Sequence, residues 1–159
     1  MTSNLDIMRR LASQMMNASP QANAIGMQTV SIDLGEAVLR VPFKPELVGN
    51  PDTGVIAGGV VTTLLDHSCG QAAMAAMATF SSLATLDLRI DYMRPAEPGA
   101  DIYCHAHCYK LTRSVAFVRA QAYDRDREDP VATAQAAFML TSGRSTLEIA
   151  ALHLAGKSS

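Results

Sequence analysis

The strongest restriction on the fold of this chain is a long stretch that is almost free of charge. Residues 54–78 read GVIAGGVVTTLLDHSCGQAAMAAMA, and between Asp52 and Asp87 the only formal charge is Asp66. A surface helix would carry charges along one face, so this stretch predicts a helix over about residues 59–78 that is enclosed on nearly all sides. An ionised carboxylate without partners in such surroundings is costly.

Alternating apolar and polar residues on both sides of this helix predict β-strands. The predicted strands are 26–34, 37–43, 84–93, 101–110, 114–124 and 131–141. Gly35 and Glu36 separate the first two strands, which indicates a hairpin. The last four strands have no helix between them, so they are expected to be antiparallel. One sheet with the long helix on one face is an α+β architecture.

The ends of the chain and one internal segment complete the predicted organisation. We expect an amphipathic helix over 3–17, capped by Ser3 or Asn4 and ended by Pro20. Pro, Gly, Asn and Asp make 45–58 a loop, and a short helix is predicted over 146–155. The length of 159 residues fits a single domain. Its predicted parts are an N-terminal helix over about 1–20, a core over 26–141 and a tail over 142–159.

Composition argues against several classes of partner. The net charge is −2, no block of Lys and Arg occurs, and Trp is absent, so neither a basic patch nor a base-stacking surface for nucleic acid is expected. No apolar run is long enough for a membrane helix, and the first residues lack the apolar core of a signal peptide. With three cysteines that fit reduced thiols, these features predict a cytoplasmic protein.

Two features of the long helix indicate chemistry. Gly58 and Gly59 lie where the helix begins, where free N–H groups and a partial positive charge can polarise a carbonyl oxygen. Asp66 follows two turns later and could direct water at the carbonyl carbon as a general base or nucleophile. The residues leave open a structural alternative, in which Asp66 is a buried carboxylate bonded to Thr hydroxyls or to a facing backbone.

The sequence resembles a known family at these positions. GVIAGGVVTTLLDHSCGQAA resembles the signature N-P-x-G-x-x-H-G-G-x-x-x-x-L-x-D of hotdog-fold acyl-CoA thioesterases of the PaaI type. ATLDLRIDYMRPAEPGADIYCHAHCYKLTRSVAF resembles the following strand, its R-P turn and the next hairpin, so the resemblance covers about 26–141. It implies an antiparallel sheet wrapped around the long helix, and a homodimer or dimer of dimers with active sites where chains meet.

The resemblance also implies roles for individual residues. Asp66 corresponds to the base or nucleophile, and the N–H of Gly58 to the group that polarises the thioester carbonyl. Thr85, supplied by the partner chain, corresponds to a Ser or Thr that helps hold the water, and Asn50 to a loop Asn near the carbonyl. The resemblance places the substrate's CoA moiety against Arg94, Pro95, Lys110, Arg113 and Ser114, while Gly59 allows close approach. It implies no cofactor beyond this CoA, and no metal.

One departure from the family pattern leaves alternatives open. Ala57 stands where the family often has His before Gly-Gly, but its backbone still supplies polar groups. The favoured hypothesis is an acyl-CoA thioesterase for a small, medium-chain or aromatic acyl group. A hotdog protein that binds acyl-CoA without cleaving it, and a purely structural role for Asp66, are the alternatives. Hotdog dehydratases use the missing His, so dehydration is disfavoured.

Other reactive residues are interpreted as structural. In the segment CHAHC at 104–108, His105 and His107 share one strand face while Cys104 and Cys108 share the other, so the four cannot converge on one metal ion. His67 adjoins Asp66, but neighbouring helical residues point about 100° apart and do not form a dyad. Cys69 lies in a helix interior with no evident base.

Overall fold

The computed structural model describes residues 4–79 and 81–141. Its helices are α1 (Asn4–Ala18), α2 (Pro20–Ala24) and α3 (Gly58–Ala76). Its strands are β1 (Gln28–Asp33), β2 (Glu36–Val41), β3 (Val48–Asn50), β4 (Val55–Ile56), β5 (Ser82–Tyr92), β6 (Ile102–Leu111), β7 (Val115–Tyr123) and β8 (Ala132–Thr141). The predicted cap Ser3, the tail 142–159 and its helix over 146–155 lie outside the described residues.

The described strands confirm the predicted α+β architecture. Six of them form one antiparallel sheet in the order β1-β2-β6-β7-β8-β5, and α3 packs on it against β2, β6 and β7. The predicted hairpin turns between Asp33 and Glu36. Among the described strands β5 pairs only with β8, so it forms one edge of this sheet, and β1 forms the other. The long helix α3 is packed against this six-stranded sheet, as the hotdog resemblance implies.

Two local features differ from the sequence prediction. The segment 45–58 contains a 3-10 turn (Pro45–Leu47) and the small hairpin β3–β4, not only loop. Pro20 does not simply end α1: it begins α2, because the fixed φ of proline suits the first turn of a helix. Ser19 caps this short helix, its Oγ accepting from the N–H of Ala22.

The packing of α3 is one-sided, which corrects a sequence prediction. Its sheet-facing side buries Val61, Leu64, Leu65, Ser68, Cys69, Gln71, Ala72, Ala73 and Ala75. The other side is open in the single chain: Gly58 and Gly59 are exposed, and Asp66 is half-buried. The expectation that the helix is enclosed on nearly all sides is therefore wrong for one chain. An uncharged surface of this kind is typical of a face that another molecule covers.

A nearly buried ion pair fixes the corner after β5. Arg94 donates from Nη2 to Oδ1 of Asp124 at 2.7 Å and from Nη1 to Oδ2 at 3.0 Å. Only 1% of the Asp124 side chain is exposed, and the carboxylate also accepts from the N–H groups of Glu97 and Arg125. The hydrogen bonds from Arg94 are the largest cause, and those from the two N–H groups a smaller cause, of a pKa of Asp124 that lies well below its usual range. The pair ties the loop after β5 to the end of β7.

We predict that Asp124→Asn destabilises the fold by about 2–3 kcal/mol at pH 7, because an amide then faces the Arg94 guanidinium. The depressed pKa means that the stabilisation is complete well above the unfolded Asp value of about 3.9 and is lost as pH falls below it. Urea unfolding at several pH values should therefore show a gap between wild type and variant that narrows below about pH 4.

The matched control is Asp33→Asn, which disrupts the exposed pair between Arg9 and Asp33. This variant should change the unfolding free energy by no more than about 0.5 kcal/mol. Equal effects of the two substitutions, or a gap at Asp124 that is independent of pH, would contradict the structural role given to the Arg94–Asp124 pair.

Candidate active site

Asp66 lies on the open side of α3 with one close side-chain partner. Thr85 donates from Oγ1 to Oδ1 of Asp66 at 3.1 Å, within the same chain. The expectation that the partner chain supplies Thr85 to this group is therefore wrong. The reason is topological: β5 starts shortly after α3 ends and runs back along the helix, which brings Thr85 beside Asp66.

A β-bulge helps to aim Thr85. The pairing of β5 with β8 shifts register between Thr85 and Asp87, which leaves Leu86 as the extra residue. Bulges bend a strand and redirect its side chains, and they are frequent beside active sites. Leu86 is 55% exposed on this edge strand. The bulge thus separates a side chain directed at Asp66 from an apolar side chain directed outward.

The start of α3 presents free amide groups. Ala57 is the N-cap, with an extended backbone (φ −64°, ψ 139°) and no side-chain cap. Its own N–H donates to the carbonyl of Leu47 at 2.8 Å. Within the described part of the chain, no hydrogen bond is recorded from the N–H of Gly58 or of Gly59. These exposed donors carry the partial positive charge of the helix terminus and can bind an oxygen atom.

Asp66 and these amides do not meet within one chain. They are eight residues apart on the same helix, which corresponds to a separation of about 12 Å along its axis. A carbonyl group spans only about 1.2 Å, so its oxygen cannot contact Gly58 while its carbon is beside Asp66 of the same chain. This geometry corrects the idea that both act on one carbonyl from a single helix.

Asn50 lies near the helix start but has a local structural role. Its Oδ1 accepts from the N–H of Asp52 at 3.0 Å, and its carbonyl accepts from the N–H groups of Thr53 and Gly54. The residue therefore shapes the turn between β3 and β4. Gly49 holds this hairpin against Ala57, since a Cβ at Gly49 would lie 3.0 Å from the Cα of Ala57. The predicted contact of Asn50 with a substrate carbonyl stays a prediction.

The residues expected to contact CoA fall into two groups. Arg94 and Pro95 follow β5, near Gly58, and Arg94 is bonded to Asp124 and to the carbonyl of Asp129. Lys110, Arg113 and Ser114 lie at the opposite end of the sheet: the carbonyl of Ser114 accepts from Leu140, which pairs with Leu83 at the start of β5.

Roughly 30 Å of strand separates these two groups within one chain. A single chain therefore does not bring them together around one ligand, and their roles in CoA binding stay predictions. Arg94 differs from the others because its charge is already compensated: the hydrogen bonds that it donates to Asp124 are the largest cause of its raised pKa.

A cavity of about 330 Å³ adjoins the helix start. It is lined by Val55, Ile56, Gly58, Val61, Tyr92, Met93, Arg94, Pro95, Ala96 and Val131. Most of these side chains are apolar, and the bottom is formed by buried residues such as Val61 and Val131. Apolar concave sites with a few polar groups at the rim are typical ligand sites.

Sequence reasoning missed Tyr92 at this cavity. Its hydroxyl donates to the carbonyl of Gly58 at 2.7 Å and lies 2.8 Å from Oγ1 of Thr62. The two partners in the first bond are 34 residues apart in sequence, so no local spacing marks the contact. The only available signal is an aromatic residue with a polar tip at the end of a strand, next to the R-P turn.

The residues interpreted as structural have internal partners. Nδ1 of His67 lies 3.1 Å from the carbonyl of Thr63, one turn earlier on α3. Cys69 and Cys104 are buried, and burial raises the pKa of the Cys104 thiol to about 12. Cys104 faces the helix, whereas His107 is exposed on the other side of the sheet and His105 lies 3.4 Å from Glu36. The predicted division of CHAHC between two faces is confirmed for these side chains.

None of the helices described here is long and apolar enough to cross a membrane.

Comparison with known proteins agrees with this architecture. The model of the thioesterase superfamily matches residues 53–131. The medium/long-chain acyl-CoA thioesterase YigI of Escherichia coli K12 is 25% identical over 134 residues, 76% of this chain and 85% of YigI. A protein of Halobacterium salinarum that is named as an esterase is 33% identical over 75 residues, which are 45% of this chain and 50% of that protein. The chain thus spans about half the length of this last relative.

Solved structures show the same fold. A protein from Pseudomonas aeruginosa is 38% identical and superposes with a TM-score of 0.77, covering 84% of this chain and 99% of that one. The PaaI protein of E. coli, from its phenylacetic acid degradation operon, has a TM-score of 0.74 at 19% identity over 84% of this chain and 93% of its own. With the family match and the sheet-wrapped helix α3, these findings confirm the resemblance: the chain belongs to the thioesterase superfamily and is a thioester hydrolase with the hotdog fold.

Proposed function

We propose that this protein is an acyl-CoA thioesterase in which Asp66 activates the attack on the thioester carbonyl. The observation that carries the proposal is the position of Asp66. It is the only carboxylate on the open side of α3, it is held by Thr85, and no cation pairs with it among the described residues. A carboxylate in a partly desolvated site without a cationic partner suits proton transfer or nucleophilic attack.

The chemistry requires two groups of the protein, the carboxylate of Asp66 and the N–H of Gly58, and one water molecule. The carboxylate of Asp66 takes a proton from a water molecule whose oxygen bonds to the carbonyl carbon, and the carbonyl oxygen becomes an oxyanion. The N–H of Gly58 binds that oxyanion. The carbon–sulfur bond then breaks, and the CoA sulfur takes up the proton held by Asp66. In the alternative path, Asp66 attacks the carbon itself and water then cleaves the mixed anhydride.

Two copies of the chain complete the site in this proposal. Since Asp66 and Gly58 of one helix lie about 12 Å apart, a carbonyl beside Asp66 of one copy needs the amide of another copy. The edge strand β5 supplies the contact: it is 11 residues long, and Tyr92 and Met93 at its end are 52% and 62% exposed. Such an edge is suited to pairing with another strand.

Antiparallel pairing of two β5 strands about a two-fold axis brings the start of one beside the end of the other. Thr85 and Asp66 of one copy then approach Tyr92 and Gly58 of the second. The same operation brings Lys110, Arg113 and Ser114 of one copy towards Arg94 and Pro95 of the second. The two groups separated within one chain thereby meet at one site, as binding of CoA requires. Assembly of two such dimers stays a prediction.

The cavity beside Gly58 supports an acyl group of intermediate size. Its volume of about 330 Å³ is roughly twice that of a 150 Å³ apolar cavity that holds benzene. A medium-chain or aromatic acyl group fits this space and its apolar lining. YigI, a relative of this chain, is named as a medium/long-chain acyl-CoA thioesterase. We infer no cofactor apart from the CoA of the substrate, no nucleic-acid partner, and a cytoplasmic location.

Ala57 supports a second candidate, a hotdog protein that binds acyl-CoA without hydrolysing it. The family pattern often has a His at this position, and Ala57 has no polar side chain. Its backbone groups are already engaged with Leu47 and Val60. Release of free thiol from acetyl-, hexanoyl-, octanoyl-, dodecanoyl- and benzoyl-CoA separates the two candidates. Protection against heating by these esters without thiol release would favour binding alone.

We predict that Asp66→Asn lowers kcat by about 10²–10⁴-fold, because the variant keeps the shape of the side chain but not its basicity. The melting temperature and the dimer should not change. Thiol release measures kcat, and Asp33→Asn, an exposed carboxylate far from α3's open side, is the control with unchanged activity. Wild-type rates in the Asp66 variant would refute its role, and a dissociated dimer would favour the structural alternative.

We predict that Gly58→Pro lowers kcat by about 10²–10³-fold, because proline removes the N–H that binds the oxyanion. Proline suits the first position of a helix, and the extended Ala57 backbone is compatible with a following proline. Gly58→Ala is the matched control: it keeps the N–H, and its Cβ would lie 3.5 Å from Tyr92, an ordinary contact. An equal loss of kcat in both variants would show that the added side-chain atoms, and not the loss of the Gly58 N–H, cause the effect.

We predict that a heterodimer of one Asp66→Asn chain and one Gly58→Pro chain has about half of wild-type activity, since one of its two symmetry-related sites is then intact. Two affinity tags allow this heterodimer to be isolated, and both parent homodimers should be inactive. A site built within one chain would leave each chain of the heterodimer with a lesion, so an inactive heterodimer would contradict the shared site.

A further inference from the structure

We propose that Tyr92 is a positioning residue for the start of α3: its hydroxyl holds the peptide group between Gly58 and Gly59 in the orientation that exposes the N–H of Gly59, a second oxyanion donor beside the N–H of Gly58. This inference rests on the proposed function, in which the N–H of Gly58 binds the substrate oxygen, and it adds the neighbouring N–H of Gly59. Tyr92 ends β5 and lies beside the cavity, whereas its bonded partner begins α3. The residue thus links the edge strand directly to the helix start.

The contacts form a compact triangle of oxygen atoms. The hydroxyl of Tyr92 lies 2.7 Å from the carbonyl oxygen of Gly58 and 2.8 Å from Oγ1 of Thr62. Oγ1 of Thr62 lies 3.1 Å from the same carbonyl. Two hydroxyl protons serve these three contacts. If the protons serve the two shortest contacts, Thr62 donates to Tyr92 and Tyr92 donates to the carbonyl of Gly58. In such a chain of hydrogen bonds each bond strengthens the next.

The helix start needs such a restraint. Two successive glycines have more backbone freedom than any other pair of residues. At Gly59 nothing lies within 4 Å of the position that a Cβ would take, and Ala57 provides no side-chain cap. Packing therefore does not fix the peptide between Gly58 and Gly59. The hydrogen bonds to its carbonyl are the contacts that do so, in addition to the helix itself.

The same bonds alter the donor strength of that peptide. The carbonyl of Gly58 and the N–H of Gly59 belong to one amide group. A hydrogen bond accepted by the oxygen polarises the amide and makes its N–H a better donor. Tyr92 thereby acts on the substrate oxygen through the amide and not by direct contact. Its ring has a separate role as part of the cavity wall, so replacement by Phe removes only the hydroxyl.

The test is Tyr92→Phe, with Tyr109→Phe as matched control, because Tyr109 is an exposed tyrosine on β6 far from α3's start. With octanoyl-CoA or benzoyl-CoA, whichever wild type hydrolyses faster, kcat should fall about fivefold in the Tyr92 variant, equivalent to ~1 kcal/mol. KM, the melting temperature and the dimer should not change. The double variant with Thr62→Val, which removes the remaining hydroxyl donor, should lose a further factor of similar size.

A second readout does not depend on catalysis. In ¹H–¹⁵N spectra of the protein without substrate, the Gly59 amide proton should move upfield in Tyr92→Phe and stay in place in Tyr109→Phe, because its amide is less polarised. An unmoved Gly59 resonance overturns the proposal whether or not the enzyme hydrolyses thioesters. A raised KM with unchanged kcat also overturns it, since that result would assign the hydroxyl to substrate binding.

Discussion

One side of α3 packs against the sheet, and this contact determines the positions of the other parts of the structure. Leu64, Leu65 and Cys69 are completely buried between the helix and the strands, and small residues such as Ala72 allow close packing. This contact fixes which side of the helix remains open. Asp66 lies on that open side because Leu64 and Leu65, the two residues before it, face the sheet, and residues one or two positions apart on a helix point in different directions. The same packing therefore positions both the core and the candidate catalytic group.

The length of the helix sets the second constraint. Its free amides are at the first turn and its carboxylate is two turns later, so one rigid element carries both groups at a fixed separation. A helix cannot bend to bring the amides and the carboxylate together. A second copy of the chain, whose α3 runs in the opposite direction, can place its amides beside the carboxylate of the first. In the proposed mechanism this fixed separation is a reason for a dimer that does not depend on edge pairing, because each copy would contribute the carboxylate of one site and the amide of the other.

The fold was predictable from the sequence because its signals are local. The alternation in 114–124 and the apolar run after Gly58 depend on residues a few positions apart, and β7 and α3 occur where those patterns predict them. The hairpin β3–β4 was missed because its strands are only 3 and 2 residues long, too short for an alternating pattern. The enclosure of α3 was overestimated because an uncharged face shows that something covers it, not that the same chain does so.

The site was only partly predictable, for a related reason. Asp66 and Gly58 stand out in sequence because charge and glycine are rare in such a helix. The contacts of Thr85 with Asp66 and of Tyr92 with Gly58 depend on how β5 returns along α3, which no spacing encodes. Arg94 illustrates the opposite case: the R-P turn marks it in sequence, yet its guanidinium is bonded to Asp124.

The most direct test of the shared site is a crystal structure of the Asp66→Asn protein with an uncleaved acyl-CoA. A site shared between two copies requires that the thioester oxygen lies about 3 Å from the N–H of Gly58 of one copy, while the side chain at position 66 of the other copy faces the carbonyl carbon. A thioester bound entirely within one chain, or with its oxygen remote from every α3 start, would contradict it.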